Sequence, residues 1–97
     1  MTCNNLAALY QNTQRPAEAE KLYTEALEIY RRLAAANPAF YEPNVAMTCY
    51  NFALLCDKSD PEKAETLRKE AFRIAREYRK INNICSIIYD RLKSLFD

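Results

Sequence analysis

Apolar residues return every third or fourth position along most of the chain, the spacing that builds one face of an α-helix. From Thr2 to about Gln11 the stripe is Cys3, Leu6, Ala7 and Tyr10. From Pro16 to about Ala36 it is Ala19, Leu22, Tyr23, Ala26, Leu27, Tyr30, Leu33 and Ala34, a rod of about 31 Å at about 1.5 Å per residue. From Asn44 to about Cys56 it is Cys49, Phe52, Ala53 and Cys56, and from Pro61 to about Arg79 it is Ala64, Leu67, Ala71, Ile74, Ala75 and Tyr78. After a break at Asn82 and Asn83, a last stripe carries Ile84, Ile88, Leu92 and Leu95. Pro16 and Pro61 suit first-turn positions, where a missing N–H costs nothing, and Asp60 is a good N-cap. Pro38 and Pro43 bracket NPAFYEP, read as a connector in which the chain leaves the helix. The pattern predicts five helices and an all-α fold.

The pattern also repeats. MTCNNLAAL at the start returns as MTCYNFALL at residue 47. A shift of 46 brings Cys3, Asn5, Ala7 and Leu9 onto Cys49, Asn51, Ala53 and Leu55. A shift of 45 brings Pro16, Ala19, Glu20, Leu22, Glu25, Ala26, Ile29 and Arg31 onto Pro61, Ala64, Glu65, Leu67, Glu70, Ala71, Ile74 and Arg76. Small residues recur because helices approach closely only where side chains are short. A duplicated helical hairpin is the mark of a solenoid, each hairpin stacking on the next. The expected architecture is an α-α superhelix of two hairpins plus a C-terminal capping helix. It is one domain over residues 1–97, with repeats at 1–36 and 44–80, the connector at 37–43 and the cap at 83–96. Met1 aligns with Met47, so the chain starts without the lead-in of its second copy. It is expected to be a piece of a longer array or an array's first repeat.

These residues resemble a known family. The first copy reads C-x2-L-A-x2-Y at Cys3, Leu6, Ala7 and Tyr10, then A-x3-Y-x2-A at Ala19, Tyr23 and Ala26. The second reads C-x2-F-A-x2-C at Cys49, Phe52, Ala53 and Cys56, then A-x3-R-x2-A at Ala64, Arg68 and Ala71. Over about residues 1–80 this is similar to the tetratricopeptide repeat signature. The longer period and Asn4-Asn5-Leu6-Ala7 resemble the extended variety found in kinesin light chains. Three departures stand out: no proline follows the second helix at Arg31 or Arg76, Arg68 replaces an aromatic, and Cys replaces Trp at the head of both copies.

Composition narrows the function classes. The net charge of +1 lacks the cationic excess of a nucleic-acid binder. Zero glycine removes the usual phosphate-cradling loops and tight hairpins. With no histidine and no CxxC pair, Cys3, Cys49, Cys56 and Cys85 read as small buried residues with free thiols rather than zinc ligands or nucleophiles. No metal, cofactor or catalytic residue is expected, and the protein is read as a non-enzyme. Free thiols and the lack of a visible signal peptide point to the cytoplasm, and no apolar run is long enough for a membrane span.

The resemblance implies a binding scaffold for a protein or peptide partner. Its groove is lined by the first helix of each repeat: Met1, Asn4, Asn5, Ala8, Gln11 and Asn12 in copy one, and Met47, Tyr50, Asn51, Leu54, Asp57 and Lys58 in copy two. Asn5 and Asn51 are the leading candidates, since an amide both donates to and accepts from a peptide backbone. The alternative is that they are surface polars bonding nothing specific. A basic stripe of Lys69, Arg73, Arg76 and Lys80 reads as a solvated helix face or a contact for an acidic partner. The exposed ends of the solenoid offer a route to homo-oligomers, so a self-associating fragment of a longer array is the alternative function.

Overall fold

Proline stands at the head of three of the four described helices. The computed structural model describes residues 16–96, which form α1 (Pro16–Ala36), α2 (Pro38–Cys56), α3 (Pro61–Tyr78) and α4 (Asn83–Phe96). Among the described residues there is no strand. The helix expected over Thr2–Gln11 lies outside them.

A proline pushes the residue before it out of the helical region. Asn37 (φ −144°, ψ 78°) and Asp60 (φ −149°, ψ 79°) accordingly take nearly the same extended geometry ahead of Pro38 and Pro61. The Asn37 N–H still donates to the Leu33 carbonyl at 2.9 Å, and the Asn37 carbonyl already accepts from the Tyr41 N–H at 3.1 Å. One residue therefore ends one helix and starts the next. The Asp60 carboxylate caps α3 by accepting from the Lys63 N–H at 3.2 Å, and the Asn82 amide caps α4 by accepting from the Cys85 N–H at 3.0 Å.

The non-helical connector expected over residues 37–43 is overturned. Only Asn37 is outside a helix, and α2 runs straight through Pro43. The reason is position. Pro43 lies in the second turn of α2, so it forfeits one bond, to the carbonyl of Ala39, and Ala39 is exposed to water. Its ring is buried in the core.

From Pro43 to Cys56, α2 holds no charged residue, and Val45, Ala46, Thr48, Cys49, Phe52, Ala53 and Cys56 are all buried. A helix that is apolar nearly all round must be covered on several sides. Here α1, α3 and α4 all pack on α2. α1 and α3 are amphipathic and give one face each. Ala19, Ala26, Ala53, Ala64 and Ala71 are each at most 3% exposed and mark the positions of the repeated small residues. Tyr23 of α1 stacks on Phe52 of α2 at 5.5 Å between ring centroids, with both side chains buried.

Two opposite substitutions test this packing by urea unfolding. Phe52→Ala is expected to cost about 3–5 kcal/mol, through lost burial and the cavity left against Tyr23. Ala71→Leu adds apolar surface yet is expected to cost about 1–3 kcal/mol, because the small side chain sets the helix spacing.

Candidate functional site

α2 and α4 lie side by side and leave a cleft of about 260 Å3 between them. α2 contributes Met47, Tyr50 and Asn51; α4 contributes Ile84, Ile87, Ile88 and Arg91. Ile88 belongs to the buried core, whereas Ile84 and Ile87 are 43% and 50% exposed. On α2, Leu54 is 53% exposed. The Arg91 guanidinium sits 5.9 Å from the centre of the Tyr50 ring, and its Nη1 donates to the Tyr50 Oη at 3.4 Å. This cation–π contact holds a positive charge at the rim of an otherwise apolar cleft. Asn51 is half-buried in the lining, and among the described residues its amide has no hydrogen-bond partner.

Of the residues expected to line a groove, the structure thus brings Met47, Tyr50 and Asn51 together. Leu54 is on the same helix but outside the cleft lining. Asp57 is drawn away: its Oδ1 accepts from Arg68 Nη1 at 3.0 Å, an ion pair that ties the end of α2 to α3. Arg68, which stands where copy one has Tyr23, therefore replaces ring packing with a charge contact at the turn. Lys58 is exposed in that turn and joins no cleft. Met1, Asn4, Asn5, Ala8, Gln11 and Asn12 lie outside the described residues.

The α4 half of the cleft was missed. The apolar spacing predicts Ile84, Ile88, Leu92 and Leu95 on the inner face of a cap, but Ile84 and Leu95 (62% exposed) are exposed to water. A signal was present. Cys85, Ile88 and Leu92 repeat the spacing of Cys49, Phe52 and Cys56, and all six are buried. α4 thus resembles a third copy of the first helix of a repeat.

The described cysteines, Cys49, Cys56 and Cys85, are free and buried. Burial pushes each thiol above its ordinary range, Cys85 to about 11; for Cys49 the nearby Glu70 carboxylate adds to the rise. A thiolate nucleophile needs the opposite shift. Among the described residues no His, Cys, Asp and Glu group could hold a metal ion, and no helix is long and apolar enough to cross a membrane.

Residues 1–37, which include all of α1, match the profile of the family described as Tetratricopeptide repeat. No curated protein and no solved structure matches the chain.

The buried thiols make stability depend on alkaline pH. The unfolded chain loses a thiol proton near pH 9, while folded Cys85 keeps it to about pH 11. Across that window the unfolded state binds fewer protons, so stability is full below it and is lost as pH rises. The urea midpoint is expected to fall between about pH 9 and 11, and to fall less steeply in Cys85→Ala.

Proposed function

From a chain whose residues 1–37 belong to the tetratricopeptide repeat family, a family generally of non-catalytic protein-interaction scaffolds, we propose that the α2–α4 face binds a peptide or a partner helix. The observation that carries this reading is the cleft itself. The exposed aliphatic side chains of Ile84 and Ile87 share its lining with Asn51 and Arg91. Ligand apolar side chains enter between the helices, and the Asn51 amide pairs with the ligand backbone through a donor and an acceptor. In the 46-residue register Asn5 is the counterpart of Asn51. The proposed groove continues onto Asn4, Asn5, Ala8, Gln11 and Asn12. The period, longer than the common repeat of about 34 residues, supports an affinity with the extended kinesin-light-chain-like variety.

Self-association is the second reading, favoured by Phe40 at 67% and Ile81 at 78% exposure outside the cleft. Light scattering over a concentration series separates the two. A constant monomer mass is expected, and a rising mass favours stacking.

Peptides selected from a displayed library against the chain test the groove. Ile87→Asp, which places a charge inside the cleft, is expected to weaken the selected peptides at least about tenfold. Asn51→Ala is expected to weaken them less. Peptides that bind Ile87→Asp as well as the parent chain remove the α2–α4 face from the account.

A further inference from the structure

A groove of about 450 Å3 separates α1 from α3. Its α1 wall is Thr24, Leu27, Glu28 and Arg31, with Phe52 of α2 also lining it. α3 is held across the groove by two ion pairs. Lys63 Nζ reaches Glu20 Oε1 at 3.2 Å, and Arg31 donates from Nε and Nη2 to the two carboxylate oxygens of Glu70. Lys63 also sits over the Phe52 ring, 4.6 Å from its centre. A helix with a charged border therefore already forms the far wall of this type of groove once in the fold.

The 45-residue register carries the α1 wall onto Lys69, Phe72, Arg73 and Arg76 of α3. Those same four residues line another groove, of about 500 Å3, with Glu77 and Phe96. It is the first groove one repeat further on, with no helix among the described residues forming its far wall. Its floor is prepared: Phe72 stacks on Tyr89 at 5.3 Å and meets Phe96 at 5.2 Å. Its charge is different. Arg31 is retained as Arg76, but Thr24 becomes Lys69 and Glu28 becomes Arg73. Among the described residues neither arginine reaches a carboxylate within 4 Å, and Lys69 meets only Glu65, at 3.9 Å.

We infer that the α3–α4 groove docks an amphipathic helix of a partner protein, apolar toward Phe72 and Phe96 and bearing carboxylates toward Arg73 and Arg76. The Glu70–Arg31 pair is the precedent for the second half of that statement, because Arg76 stands one register from Arg31. The swap of Thr24 and Glu28 for two cations makes the occupant more acidic than α3 is in its own groove. The site uses a different flank of α4 from the α2–α4 cleft, so it stands apart from the peptide reading.

The test uses the whole 97-residue chain and two labelled, stapled helical peptides of about four turns, followed by fluorescence anisotropy. Both carry the same leucine stripe; one is bordered by glutamates, the other by lysines. The glutamate helix is expected to bind, and more weakly as salt rises. The double charge reversal Arg73→Glu/Arg76→Glu is expected to weaken it at least about tenfold and to admit the lysine helix instead. These are exposed surface substitutions, and circular dichroism checks that the fold persists. Ile87→Asp in the other cleft is expected to leave this binding unchanged. Failure of the glutamate helix to bind the parent chain, equal binding of both peptides, or indifference to the reversal overturns the inference. A dimer of the parent chain that the reversal returns to monomer overturns it too, and assigns the groove to a second copy.

Discussion

Close approach of helix backbones at alanine is the constraint on which the rest of the structure depends. Ala19 and Ala26 in α1, Ala53 in α2, and Ala64 and Ala71 in α3 are each at most 3% exposed. A short buried side chain lets a neighbouring helix approach closely, with larger side chains packed around it. The small residues of α1 return one register later in α3, and they are buried in both. The clefts are the spaces this packing leaves between rods. They are consequences of spacing and would shift with it.

Most of the helical architecture was legible in the residues. Pro16–Ala36 and Asn83–Phe96 run as the stripes implied, and α3 ends one residue early, at Tyr78. The exception is instructive. Two prolines in seven residues read as a connector, because each is a helix breaker in isolation. Which proline breaks depends on what its lost bond leaves behind. Pro38 resets the chain through Asn37, while Pro43 strands a single carbonyl that water can reach and buries its ring. Local rules see the residue type but not the solvent around the carbonyl four residues back.

The candidate site was half legible. Met47, Tyr50 and Asn51 follow from one register shift and meet in the cleft. Asp57 follows from the same shift yet is captured by Arg68, a partner eleven residues away that only the turn geometry selects. Ile84, Ile87 and Arg91 needed the recognition that the last helix repeats a pattern of buried positions rather than merely closing the array. Apolar stripes name the faces that pack. They say less about the residues at the edge of a stripe, and edges are where grooves form.

α4 is a rod that rests on α3 and, more lightly, on α2. One flank of it walls the cleft with Met47, and another walls the groove with Phe72. An element held by few packed neighbours opens before the core does. Detachment of this single rod would dismantle both surfaces together. By thermodynamic linkage, whatever fills one hollow holds the rod down and lowers the ordering cost met by whatever fills the other. Two occupants that never touch would thereby favour each other, with α4 as the messenger between them.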